Sequence, residues 1–165
     1  MQINQVLTLG CTKSAVQCSS KKRALELISQ LAAAELGDNE KDLFDCLLIR
    51  EKMGSTGIGN GIAIPHGRIF NSEQAVAVLI QCKEPIEFDA IDNTPVDILF
   101  ALLVPDSQCK EHLKTLSTIA ERLSDKRVLK QLRAAKDDQQ LYNIMAGEPA
   151  NNEPLVNTQS TDKMG

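Results

Sequence analysis

Residues 54–67 read Gly54-Ser55-Thr56-Gly57-Ile58-Gly59-Asn60-Gly61-Ile62-Ala63-Ile64-Pro65-His66-Gly67, and the chain changes character on either side of them. The glycines break regular structure, and Ile62 to Gly67 then reads as a short strand ending at a turn. Upstream, Ala24, Leu27, Ile28 and Leu31 recur at helical spacing after Ser19-Ser20 and before Gly37, which predicts a helix over about residues 20–36. Asp38 or Asn39 can cap a second helix, whose stripe of Leu43, Phe44, Leu47 and Leu48 runs to about Lys52, with Arg50 at the stripe's edge.

Downstream, Gln74 to Cys82 and Val96 to Val104 read as strands, the second apolar except at Asp97 and therefore buried on both faces. Between them Ile86-Glu87-Phe88 alternates briefly before the turn-rich Asp92-Asn93-Thr94-Pro95. The rest is helical, over about 108–123 with Leu113, Leu116, Ile119, Ala120 and Leu123 inward, about 125–135 and about 137–146. Helix pairs mixed with strands predict a single α/β layer domain over 1–147. Residues 148–165 carry no core-forming pattern and read as a flexible tail.

Composition narrows the function. The chain has 165 residues, 18 Lys and Arg against 22 Asp and Glu, a net charge of -4, 3% aromatic residues and no Trp. That balance disfavours nucleic acid, which selects basic surfaces and aromatic platforms. Five cysteines at irregular spacing, with no C-x-x-C pair, read as reduced thiols of a cytoplasmic protein. Neither a signal peptide nor an apolar run of membrane-spanning length is visible.

The glycine-rich stretch fails as a nucleotide motif. Gly54 and Gly59 have P-loop spacing, but Asn60-Gly61 stand where Lys and Ser or Thr belong, and Gly57-x-Gly59-x-Gly61 lacks dinucleotide spacing. Its endpoint carries the chemistry instead. Pro65 fixes the backbone before His66, and Gly67 leaves the far side free of a side chain, so this imidazole is both placed and accessible. A neutral imidazole is a nucleophile at physiological pH, one ring nitrogen attacking while a carbonyl holds the proton on the other. The second histidine, His112, shares the helical face of Leu116, Ile119 and Leu123. Arg50, His66 and His112 together favour a shared site for a phosphoryl or carboxylate group, with Ser55 and Thr56 as hydroxyl donors. Two histidines without an acidic partner at ligand spacing do not make a zinc site, so no metal or cofactor is expected.

The run from Arg50 to Gly67, with Phe88-Asp89-Ala90-Ile91-Asp92-Asn93 and Phe100-Ala101-Leu102-Leu103-Val104-Pro105, resembles the enzyme IIA domains of the mannitol/fructose type in the bacterial phosphoenolpyruvate-dependent phosphotransferase system (PTS). It is most similar to their nitrogen-related branch. The resemblance implies a mixed β-sheet flanked by α-helices, and a phosphohistidine formed at Nε2 of His66. The donor it implies is an HPr-type phosphocarrier, here the nitrogen-branch carrier NPr. Arg50 and His112 match the family's site positions and would neutralise phosphoryl oxygens, while Ser55, Thr56, Gly59 and Gly61 would complete a phosphoryl-binding shell. Regulatory targets such as potassium-transport or sensor components are implied for the nitrogen branch. A sugar-specific IIA serving a separate IIB chain, and a binding module without phosphotransfer, are the alternatives. Cys109 near His112, and the tail, depart from the family pattern.

Overall fold

The computed structural model describes residues 2–147, so the tail expected at 148–165 lies outside the described residues. Six strands form one mixed sheet: β1 (Leu7–Val16), β2 (Gly57–Gly59), β3 (Ile62–Ala63), β4 (His66–Ile69), β5 (Val76–Ile86) and β6 (Val96–Pro105). The order across the sheet is β1-β5-β6-β3-β2, with β4 also on β6. The α/β expectation holds, and the layers are helix, sheet, helix.

Strand periodicity sends alternate residues of β5 and β6 to opposite layers. Val76, Val78, Ile80, Leu99, Ala101 and Leu103 pack beneath α1 (Lys21–Leu36) and α2 (Glu40–Lys52). Ala77, Leu79, Ile98, Phe100, Leu102 and Val104 pack beneath α3 (Cys109–Leu123), α4 (Lys126–Ala134) and α5 (Asp138–Ala146). Such two-sided burial is why β6 reads as a continuous apolar run. Phe100 is fully buried in the second layer. Phe100→Ala is therefore expected to cost about 3–5 kcal/mol, read as a lowered midpoint in urea with an unchanged slope.

The helices start where the sequence places them. Ser20 caps α1 by accepting from the Arg23 N–H, Gly37 ends it in the left-handed conformation, and Asn39 caps α2 through the Asp42 N–H. Asp125 and Asp137 cap α4 and α5. One helix face differs from expectation: Leu113 is 63% exposed, because α3 turns His112, Thr115, Ile119 and Leu123 inward instead.

The strand expectations need three corrections. No element was expected over β1, which pairs parallel with β5 at the sheet's edge through two register shifts; bulges of this kind erase the alternation that marks a strand. Ile86 ends β5, so Ile86-Glu87-Phe88 is no separate strand. The strand from Ile62 does not turn at Gly67. Ile62 pairs with Ile98 and His66 with Leu102 in the same parallel register, so β3 and β4 form one line along β6. Pro65 interrupts it, lacking an N–H, while its carbonyl still accepts from the Leu102 N–H at 2.9 Å. Gly67 has a packing reason: a Cβ there would lie 3.1 Å from the Cys46 carbonyl oxygen of α2.

The glycine-rich stretch is a hairpin. β2 and β3 pair antiparallel around Asn60-Gly61, whose φ angles of 59° and 81° are those of a two-residue primed turn, which Asn-Gly favours. Arg133 of α4 donates to the Asn60 carbonyl and to Asp97, fastening the hairpin to the helical layer. A Cβ on Gly61 would meet that guanidinium at 2.5 Å.

Candidate functional site

Beyond the β2–β3 hairpin no strand pairs with the outer side of β4 among the described residues, and an open cavity of about 560 Å3 lies there. Three elements converge on it. Along the β3–β4 line, Ile62 and Ile64 point toward the α3–α5 layer, and the alternation carries His66 to the same side. From that layer α3 brings His112 in its first turn, and from the opposite layer the C-terminal turn of α2 brings Arg50. The three groups expected to share a site thus line one cavity.

His66 is half-buried, and its Nδ1 lies 2.9 Å from the Ile64 carbonyl oxygen. A carbonyl only accepts, so Nδ1 carries the proton and Nε2 keeps its lone pair. Burial lowers the His66 pKa below the usual histidine range, the Ile64 bond opposes this, and the Arg50 cation lowers it further. His112 is 2% exposed. The Gln108 amide donates to the Glu73 carbonyl at 3.0 Å, which turns its oxygen toward His112 Nε2 at 3.4 Å, while Thr115 Oγ1 lies 3.1 Å from Nδ1. This network places the proton on Nε2 and leaves Nδ1 to accept from the threonine. Burial lowers the His112 pKa too, against an opposing effect of Glu111. Arg50 donates one Nη to the Gly54 carbonyl at 2.8 Å, leaving other N–H groups of its fork for an anion.

Both lowered pKa values set a pH dependence. The unfolded chain, with ordinary histidines, binds protons first as pH falls through about 6.5, so the two imidazoles contribute stability above that range and lose it as pH drops toward their folded values. Imidazole NMR titrations are expected to give midpoints below about 6.5 for both, and urea stability is expected to fall from pH 7 to pH 5.

The structure does not bring the other four expected residues to the cavity. Ser55 Oγ donates to the Phe88 carbonyl at 2.9 Å, and Thr56 Oγ1 donates to Glu51 at 2.6 Å. Gly59 sits against Asp92, and Gly61 against Arg133 and Asp97. The hairpin that carries the glycines is fastened to α4, so these groups are structural in this conformation.

Sequence reasoning missed the cavity's rim. Ile49, Met53, Phe70 and Leu113 line it and are 65%, 76%, 72% and 63% exposed. Their signal is present in Ile49, which lies between the buried Leu47 and the edge residue Arg50, where a solvated helix face calls for a polar side chain. Exposed apolar residues clustered around one polar site mark an interaction surface, for a protein, a membrane or a ligand. Arg68, Cys46 and Cys109 also line the cavity, and all five cysteines are free. Among the described residues no group of three or more His, Cys, Asp or Glu is placed to hold a metal ion, and no helix is long and apolar enough to cross a membrane.

Residues 5–147 match the family model described as "Phosphoenolpyruvate-dependent sugar phosphotransferase system, EIIA 2", and the chain belongs to this family. Within it, the chain is 56% identical over 154 residues to the nitrogen regulatory protein of Klebsiella oxytoca, covering 93% of this chain and 95% of that one. It is 57% identical over 146 residues to the nitrogen regulatory protein of Escherichia coli K12, covering 88% and 90%. Among solved structures, the nitrogen regulatory protein IIA-Ntr of Neisseria meningitidis superposes with a TM-score of 0.82 at 38% identity, over 87% of this chain and 98% of that one. The mannitol IIA of Escherichia coli, with a TM-score of 0.67 at 16% identity over 88% and 99%, shares the fold.

Proposed function

We propose that this chain is a phosphoryl-carrier regulator of the nitrogen-related phosphotransferase branch. His66 accepts a phosphoryl group on Nε2 from an HPr-type phosphocarrier, NPr in this branch, and the state of His66 decides which targets the protein binds, potassium-transport or sensor components among them. The observation that carries the reading is the His66 Nδ1–H bond to the Ile64 carbonyl, which leaves Nε2 as the free nucleophile in a cavity shared with Arg50 and His112. The apolar rim favours a protein donor over a small molecule.

In the transfer, the Nε2 lone pair forms the new N–P bond as the bond to the carrier's nitrogen breaks, and the electron pair of that bond returns to the carrier. The His66 ring gains positive character, which the Ile64 carbonyl stabilises through Nδ1–H. Phosphoryl transfer depends mainly on positioning and charge stabilisation; Arg50 supplies the positive charge for the phosphoryl oxygens, and the neutral His112 adds an N–H donor beside it. The test is incubation with phosphoenolpyruvate, the matching enzyme I and the carrier. An acid-labile, base-stable phosphoprotein is expected, and its failure to form would overturn the reading. Onward transfer to a IIB component would assign the chain to a sugar branch instead.

A further inference from the structure

Arg50 is only as well aimed as the Gly54 carbonyl that holds it, and that carbonyl belongs to a turn with an unusual anchor. Glu51, the next residue of α2, buries its side chain to 4% exposure. Its Oε2 accepts from the Thr56 N–H at 2.9 Å and from Lys21 Nζ at 2.8 Å, and its Oε1 accepts from Thr56 Oγ1 at 2.6 Å. Lys21 also donates to the Phe88 carbonyl at 3.3 Å, and its Nζ lies 4.7 Å above the Phe88 ring. Ser55 Oγ bonds the same carbonyl at 2.9 Å. Ser55 and Thr56, which follow Gly54 directly, are therefore held between one buried carbonyl and one buried carboxylate.

An ion pair whose carboxylate is buried, as here with Glu51 against the half-buried Lys21, is a poor device for stability alone, because desolvating the carboxylate consumes much of the attraction. What it does supply is a fixed geometry, since a carboxylate with three donors has little freedom to move. We propose that Glu51, braced by Lys21, is a positioning residue: it locks the turn carrying the Gly54 carbonyl and so aims the Arg50 guanidinium into the His66 cavity. This inference rests on the phosphoryl-acceptor reading for its consequence, but not for its geometry. Glu51 faces Lys21 from α1 and the Thr56 donors from the turn, with Asp89 as a further, exposed carboxylate 3.9 Å from Lys21.

The test uses E51Q, which keeps the shape and removes the charge, with T56V and T56S as milder variants. Two quantities are read: the exchange rate of the Arg50 side-chain N–H signals by NMR, and phosphoryl uptake as a function of carrier concentration. E51Q is expected to speed the Arg50 exchange and to slow maximal uptake at least about tenfold, within the range that small misplacements cost. Half-saturation by the carrier is expected to stay unchanged, since the apolar rim is untouched. T56V should shift both readouts in the same direction by less, and T56S, which restores the hydroxyl donor, should match wild type. If E51Q does not fold, T56V carries the comparison. Wild-type Arg50 exchange, or wild-type uptake, in a folded E51Q or T56V protein would overturn the inference. A wild-type protein that takes no label while E51Q loosens Arg50 would overturn the phosphoryl reading and leave the positioning intact.

Discussion

With His66 replaced by alanine, incubation with phosphoenolpyruvate, enzyme I and the carrier is expected to leave the chain wholly unlabelled. The chain holds only two histidines, and His112 is no substitute. It is 2% exposed, and both its ring nitrogens face partners, Thr115 on one side and Gln108 on the other. Intact-mass spectrometry at neutral pH checks the outcome: wild type gains one phosphoryl group and the variant none. Label persisting in the variant would move the acceptor elsewhere. The gain is electrostatically large, because a phosphoryl group carries about -1.5 to -2 by analogy with other phosphorylated side chains, on a chain whose formal net charge is -4. The folded variant should retain wild-type stability to within about 0.5–1 kcal/mol, since the half-exposed His66 leaves little cavity behind.

What the sequence made legible follows from how local each determinant is. The helix starts after Ser19-Ser20 and at Asp38 or Asn39, the stop at Gly37 and the two-sided burial of β6 are local or strictly periodic and so are legible, with the structure choosing Ser20 and Asn39 as the caps. Arg50, His66 and His112 stood out because polar groups of that kind seldom sit on apolar stripes, and the fold brings them to one cavity. The β1 strand was missed because bulges and the left-handed Ala15, at φ 49°, destroy the alternation that identifies a strand. Asn60-Gly61 was a different kind of miss. The dipeptide is a strong local hairpin signal, and the spacing of glycines against phosphate-binding motifs carries no information about turn type. Gly67 suggests a turn from its local sequence alone, whereas the Cys46 backbone of α2, distant in sequence, is what requires a glycine there. The Glu51 network joins residues 21, 51, 56 and 88, a set of separations that no local pattern connects.

Replacing Arg50 separates two effects that a single cation combines. The guanidinium lowers the His66 pKa, which keeps that imidazole neutral at lower pH, and in the proposed transfer its free N–H groups would meet the charge that gathers on the phosphoryl oxygens. Arg50→Ala removes both. The His66 midpoint should then rise toward about 6.5, making the imidazole more basic and, on basicity alone, a better nucleophile. Uptake is nevertheless expected to fall about 10²–10³-fold, the loss typical for one preorganised donor to a developing oxyanion. Arg50→Lys keeps the charge and loses the planar fork, so the His66 midpoint should stay near that of wild type while uptake falls at least about tenfold, because a point charge does not reproduce a bidentate donor. Imidazole titration and single-turnover transfer, measured on the same two variants, decide the matter. If uptake tracked the His66 midpoint in both, Arg50 would act only through the basicity of the acceptor. A lysine variant with a wild-type midpoint and slowed transfer instead assigns the rate to the geometry of the fork, which the Gly54 carbonyl holds from one side.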